Sequence, residues 1–416
     1  MTKIYHADLW GSREDKYRYL LENDITTVQW TELDPKPPFY LFIPQNATCR
    51  AEYEAGWKIT EIMPVNSVGL YTARDELAIQ WSKNELKEVL LDFSSLLPEI
   101  ARDKYKLGED SRDWQVALAQ KDVQFSQVDS SKIQLISYRP FDTRFTYYTG
   151  KSRGFICMPR PSVMYHVLQK DNLGINVCRQ IIGESWSHIL ASNLITDNCY
   201  VSNKSRERNY LFSLYKYPGT DNEQGSLFVE RSPNFSSDFI AAIREKLGYT
   251  PTPEAIFYYI YAIFYSPTYR QRYAEFLKID FPRVPLTSND QLFKDLGTKG
   301  QALVDLHLMK SKKLNKLITK MSGNGDNAVT EVTYKPTEQR VYINGDRYFE
   351  GIAPDVWEFK IGGYQVLDKW LKDRKKAKRT LSFDDVLHYQ KIVVALKETM
   401  QLMVEIDQLI PGFPIA

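Results

Sequence analysis

The sequence predicts an α+β fold, with mixed sheets in its middle and a helical bundle at its C-terminus. Three observations carry that prediction. From residue 133 onward, short apolar stretches rich in β-branched and aromatic residues recur between turn signals, which is the composition of strands. Near the C-terminus Val386, Tyr389, Val393, Leu396, Met400 and Met403 alternate spacings of three and four, a helical seam. At the N-terminus Ile4-Tyr-His-Ala-Asp-Leu-Trp-Gly11 reads as a short strand running into a glycine turn. That pattern is expected at the close of an α/β domain whose earlier part lies outside the chain.

Taken in order, Ser12 caps a predicted helix from Arg13 to about Leu21, with Asp15 in an acidic first turn. Residues 25–80 alternate proline-rich turns with short strands, ending in Leu77-Ala-Ile-Gln-Trp81 as a strand. Residues 83–122 read as acidic helices broken near Gly108, and the polar stretch 126–132 reads as a boundary. Ile133-Gln-Leu-Ile-Ser-Tyr138, Gly174-Ile-Asn-Val-Cys178, Cys199-Tyr-Val201 and Leu211-Phe-Ser-Leu-Tyr215 are expected strands, with a helix over 162–170. A second helical block starts near Ser236, and Thr252 followed by Pro253 opens another helix. Val341-Tyr-Ile-Asn-Gly-Asp-Arg-Tyr-Phe-Glu-Gly351 reads as a β-hairpin, and Gly362-Gly363 as a turn before a helix with a charged outer face. Ser382 caps the last helix, with Asp384 and Asp385 favouring its dipole. Its seam is expected to pack on a neighbouring helix of the same chain.

With 416 residues the chain is expected to form two or three domains, divided as 1–82, 83–130 and 131–416. The four cysteines form no C-x-x-C pair and no zinc spacing, so free thiols in a reducing cytoplasm are expected. No signal peptide is visible, and the apolar run 256–265 is half the length a bilayer requires. The net charge of +2 hides an asymmetry. Residues 1–130 hold 15 Lys/Arg against 22 Asp/Glu, whereas residues 131–216 hold 12 against 5. A basic block of that kind suits a polyanionic partner, and equally a solvated basic face.

Known catalytic patterns fail one by one. In Asp34-Pro-Lys-Pro-Pro-Phe39, Lys36 stands where an amino-methyltransferase needs a hydrogen-bond acceptor. No glycine-rich loop follows an early strand to hold S-adenosylmethionine, and no P-loop is encoded. Pro354-Asp355 with Glu358 and Lys360 resembles a nuclease signature, but those residues are crowded into one turn and cannot converge on a metal. No catalytic residue, metal ligand or cofactor is therefore expected in this chain.

What remains is contact with DNA. Arg139, Arg144, Lys151, Arg153, Arg160, Arg179, Lys204, Arg206 and Arg208 fall in one region, interleaved with aromatics and asparagines. Cations of this kind neutralise phosphates, and Arg or Asn at groove depth reads bases. Lys151 to Arg153, flanked by Gly150 and Gly154, has the make-up of a mobile basic loop. Asn203-Lys-Ser-Arg-Glu-Arg-Asn209 is a second such loop, with a charged hairpin tip as the plainer reading. Arg139 and Arg144 could equally pair with Asp142 or a neighbouring strand. Arg270 and Arg272 are further candidates for phosphate contact, whereas Arg283 is expected to be architectural.

Several of these segments also carry a resemblance. Tyr138-Arg-Pro-Phe-Asp-Thr-Arg144, Tyr147-Tyr148 and Arg160-Pro-Ser-Val-Met-Tyr-His166 form one block. Tyr261-Ala-Ile-Phe-Tyr-Ser-Pro-Thr-Tyr-Arg-Gln-Arg-Tyr273, closing with Asp280-Phe-Pro-Arg-Val-Pro-Leu286, forms a second. The hairpin from Val341 and the stretch Val356-Trp-Glu-Phe-Lys-Ile-Gly-Gly-Tyr-Gln-Val-Leu-Asp-Lys-Trp-Leu-Lys-Asp-Arg374 form a third. In this order they resemble the C-terminal specificity region of single-polypeptide type ISP restriction–modification enzymes. The resemblance implies a methyltransferase tail over 1–82, in which Arg13, Glu14 and Lys16 match an Arg-Glu-x-Lys helix. It implies a DNA target-recognition domain over 131–416. It further implies that double-stranded DNA is the partner, and that adenine methylation, ATP-driven translocation and cleavage belong to other domains or subunits. S-adenosylmethionine, ATP and Mg are then expected only for the full-length enzyme, and no membrane association is expected. The chain would be a piece of a longer protein or the product of a split gene. Two alternatives stay open: an accessory subunit completing a separate methyltransferase, and an interaction module with no role at DNA.

Overall fold

The computed structural model describes residues 3–37, 40–44, 48–183, 185–218 and 231–415. Pro38 and Phe39 of the proline-rich motif therefore lie outside the described residues. The chain divides into a small unit, 1–51, and a large one, 52–416. In the small unit the strand Ile4–His6 pairs antiparallel with Thr31–Leu33. The helix Arg13–Glu22 begins where the cap predicts, with the Ser12 side chain accepting from the Asp15 N–H. None of that helix's residues is buried within the described chain.

The large unit holds three four-stranded sheets. In the first, Ile133–Arg139 lies between the antiparallel Asp142–Tyr147 and the parallel Ile195–Thr196, and Ile79–Gln80 closes the far edge. The second is antiparallel throughout, in the order Asn66–Val68, Asn209–Ser213, Gly174–Cys178, Ile189–Ser192. Its three strands after Asn66–Val68 are almost wholly buried, which accounts for apolar runs without alternation, whereas Asn66–Val68 at the edge is half-buried. The third sheet contains the predicted hairpin, Arg340–Tyr342 paired with Arg347–Glu350. The helices Lys83–Ser95, Pro98–Lys104 and Val116–Phe125 contribute Leu86, Leu90, Phe93 and Val123 to one core with Ile136, Tyr147 and Leu211. The boundaries expected at 82 and 130 thus run through a continuous core.

The α+β expectation holds, including the C-terminal helices. Pro253–Tyr265 crosses Asp290–His307 so closely that a Cβ on Gly300 would sit 1.9 Å from the Tyr258 carbonyl oxygen. Only glycine permits that approach. The 27-residue helix Phe383–Leu409 packs against the same pair, with Thr399 bonded to His307 and Lys299 paired with Glu405. Its buried face is wider than the predicted seam. Tyr389, Val393 and Leu396 are buried as expected, but so are Ile392, Val394, Leu402 and Ile406, whereas Met400 and Met403 are only half-buried.

Three local expectations are corrected. Residues 199–201 form a turn, not a strand, because the Cys199 N–H is taken by the Asp197 carboxylate and Tyr200 N–H closes back on the Asp197 carbonyl. The helix expected over 162–170 stops after Pro161–Met164, where the His166 carbonyl is claimed by the Asn172 side chain instead of a helical N–H. Leu77 and Ala78 close a short helix, Asp75–Ala78, and only Ile79–Gln80 is a strand.

Candidate nucleic-acid interface

The predicted cations separate into two classes once burial is known. Arg139 ends the first central strand and is 7% exposed. Its guanidinium lies over the Tyr138 ring at 3.7 Å, donates to Asp197 at 2.7 Å and reaches Asp75 at 3.4 Å. Arg144 is equally buried, held between Trp81 at 3.7 Å and Tyr138 at 4.3 Å. It donates to Asp142 at 2.7 Å and reaches Asp373 at 3.4 Å, and Asp142 also accepts from Arg374 at 2.9 Å. Burial alone would raise Asp142, but Arg374 and Arg144 together hold its carboxyl down at about 2. Both arginines expected at DNA are therefore committed to the fold, because a buried guanidinium is tolerated only when paired. This knot fastens the sheet to the helix Val366–Lys376. It joins two of the three sequence blocks that stood out.

Arg272 is likewise occupied, donating twice to Glu52 at 2.7 Å. Arg270 tucks under Trp186 and Tyr265, with its Nε donating to the Phe264 carbonyl at 2.7 Å. Arg160 is half-buried in a left-handed conformation and contacts the Met158 sulfur.

The exposed cations lie on two loop systems. Lys151 and Arg153 occupy the turn after Asp142–Tyr147. That turn is pinned rather than loose: the Asp122 carboxylate accepts from Thr149 Oγ1 at 2.8 Å and the Phe155 N–H at 2.9 Å. Gly154 is required there, since a Cβ would meet that carboxylate at 2.3 Å. Arg153 donates to the Arg112 carbonyl at 2.8 Å, leaving Lys151 at the solvent face.

The second system is formed by the loop 179–187, of which Glu184 lies outside the described residues, and the loop 202–208, at one end of the second sheet. Arg179, Lys204, Arg206 and Arg208 are all exposed there. Glu207, fully buried between them, ties the two loops together. Its carboxylate accepts from the Ile182 N–H at 2.7 Å and from Ser202 Oγ at 2.5 Å, and bonds His188 Nε2 at 2.8 Å. Burial would raise Glu207, but these bonds hold it down at about 2. Arg179 is fixed against Asp280 at 3.0 Å. The Gly362-Gly363 turn supports the pair from behind, its N–H groups donating to the Ser187 and Val201 carbonyls at 2.9 and 3.0 Å. Both glycines are needed, since a Cβ on either would overlap Val201 or Ser202.

This face carries residues that cation counting passed over. Gln180 and Asn203 are exposed beside the arginines, and Ile182 is 60% exposed at the loop tip. Amides at groove depth suit adenine, and an apolar tip suits a thymine methyl. The signal available in sequence was the position of Arg179-Gln-Ile-Ile-Gly183 directly after a buried strand. No group of His, Cys, Asp or Glu among the described residues could hold a metal ion, and no described helix is long and apolar enough to cross a membrane.

Comparison with known proteins adds to this geometry. The family model of the type ISP C-terminal specificity domain matches residues 61–405. A nuclease-deletion mutant of the type ISP restriction–modification enzyme LlaGI, in complex with a DNA substrate mimic, superposes with a TM-score of 0.69 at 19% identity. It covers 100% of this chain and 33% of that one. The DrdV–DNA complex gives 0.69 at 17% identity, covering 94% of this chain and 42% of that one. The ATP-dependent type ISP enzyme LlaBIII bound to DNA gives 0.69 at 17%, covering 93% and 26%. This chain spans less than half the length of each. No curated protein matches it.

Proposed function

The chain belongs to the type ISP C-terminal specificity domain family, and from that premise we propose that it reads a short DNA sequence for a restriction–modification enzyme. Adenine methylation and cleavage at the site it selects are carried out by methyltransferase, helicase and nuclease parts outside these residues, which use S-adenosylmethionine, ATP and Mg. The chain itself is a non-catalytic reader acting in the cytoplasm. The observation that carries this reading is the loop pair 179–187 and 202–208. It presents four exposed cations beside Gln180, Ile182 and Asn203 on a support fixed by one buried carboxylate. Cations supply sequence-independent attraction to phosphate, and the amides and apolar tip supply discrimination.

The test is selection from a random duplex pool, followed by titration of the winner across salt concentrations. One enriched short sequence, with affinity falling steeply as salt rises, is the expected result. Absence of any salt-dependent binding at low salt would overturn the proposal.

A further inference from the structure

Arg179 directly follows the buried strand Gly174–Cys178, and its side chain is 50% exposed. It is held differently from other exposed cations of the loop pair. Its Nε donates to Asp280 Oδ1 at 3.0 Å, whereas Arg206 and Arg208 form no ion pair among the described residues.

Asp280 is fixed independently of Arg179. Its Oδ2 accepts from Lys58 Nζ at 2.8 Å, and the Phe281 N–H also bonds the carboxylate. Burial would raise its pKa, but the bonds from Lys58, Phe281 and Arg179 hold it below the usual value, so it stays an anion. The surroundings are equally set. Trp57–Lys58 pairs with Arg283–Val284, and the Phe281 ring packs edge-on against Tyr210 and Phe212 of the second sheet. The reading loop is clamped to the same stretch, with the Ile181 N–H donating to the Lys278 carbonyl at 3.1 Å. Arg179 is thus anchored through its neighbouring backbone and through its Nε.

The consequence lies in the other two nitrogens. Nη1 and Nη2 have no hydrogen-bond partner among the described residues, and they form the outer edge of a planar fork. A phosphate closing on that edge would also approach the Asp280 carboxylate, and like charges brought together are costly. A neutral pair of acceptors meets no such repulsion. Only guanine presents two acceptors side by side, N7 and O6, on its major-groove edge. A fork already held in place loses little conformational freedom on binding them.

We propose that Arg179, positioned by Asp280, reads a guanine of the target and does not serve as a phosphate contact. The inference rests on the DNA-reading function proposed above and assigns one base of the site to one residue. Arg206 and Arg208, with no paired carboxylate among the described residues, are left to the phosphates.

The test uses the full chain, the duplex enriched by selection and its single-pair variants. The wild type is expected to prefer one G·C pair by about five- to a hundredfold over the other pairs at that position. Arg179→Ala should bring that preference within about twofold and leave the other positions read as before. Because Arg179 is half in water, its removal leaves the fold intact. Replacing that guanine with 7-deazaguanine, which lacks the N7 acceptor, should weaken the wild type and leave Arg179→Ala unaffected. Asp280→Asn should lower the same preference about three- to tenfold, while binding to the duplex mismatched there holds or tightens, since a negative charge has gone. A merely structural role would weaken matched and mismatched duplexes alike, and that result would overturn the positioning role of Asp280. Should Asp280→Asn fail to fold, the pairing of 7-deazaguanine with Arg179→Ala still decides the guanine assignment. Full discrimination by Arg179→Ala at every G·C pair would overturn that assignment. So would a uniform loss across all sequences with the magnitude of the salt slope lowered by about 0.9, the mark of a phosphate contact. Failure of the DNA-reading function shows separately, as failure of the wild-type chain to enrich any duplex.

Discussion

Replacing Glu207 with glutamine should loosen the loops proposed to read DNA while leaving the rest of the chain in place. The carboxylate is fully buried and is bonded by the Ile182 N–H, Ser202 Oγ and His188 Nε2. Its pKa falls from 4.5 to about 2 on folding. At about 1.4 kcal/mol per unit the shift corresponds to roughly 3 kcal/mol, or about 1–2 kcal/mol once solvent screening is allowed for. Because the folded pKa is the lower one, this stability is fully present above about pH 4.5 and is lost as pH falls toward 2. Glu207→Gln should therefore cost about 1–2 kcal/mol in urea unfolding at pH 7, and less than half of that at pH 3. Amide exchange at Ile182 should quicken, and duplex affinity should drop without any cation having been removed. A variant as stable as wild type at pH 7, or a difference that stays constant down to pH 3, would refute the argument.

Other perturbations separate structural from exposed charge. Asp142→Asn leaves Arg144 and Arg374 facing a neutral amide in a buried site, and should cost about 3–5 kcal/mol in denaturant unfolding. Lys204→Ala combined with Arg206→Ala should change stability by no more than about 0.5 kcal/mol. The same pair should reduce the magnitude of the salt slope of DNA binding by about 1.8, read by anisotropy. Gly300→Ala places a methyl 1.9 Å from the Tyr258 carbonyl oxygen, so the two helices must part. A loss of about 1–3 kcal/mol in thermal unfolding is expected.

Elements whose signals are local were legible in the sequence. Ser12, Thr252 and Ser382 each cap a helix where expected, because a cap acts over three residues, and the helix expected to start near Ser236 does so. The hairpin at Arg340–Glu350 was legible for the same reason. The division of the arginines was not. Arg139 is buried by Asp197, and Arg144 by Asp142, Trp81 and the distant Asp373. Arg206 and Arg208, of the same type and in the same region, stay in water. Nothing in a window of ten residues separates the two cases, since the deciding partners arrive from elsewhere in the chain. Glu207 was hidden for the opposite reason. Set between two arginines, it reads as part of an exposed charged tip, whereas it is the buried anchor of that tip.

The knot at Asp142 bears on how specificity could be transplanted between relatives. Its members come from positions 142, 144, 373 and 374, so the central sheet and the C-terminal helices are not separable cassettes. A chimera joined anywhere between residues 145 and 372 would inherit half a charge cluster from each parent. If the proposed reading holds, the unit of exchange is smaller: the loops 179–187 and 202–208, the latter bringing Glu207, on a body that keeps its own buried arginines.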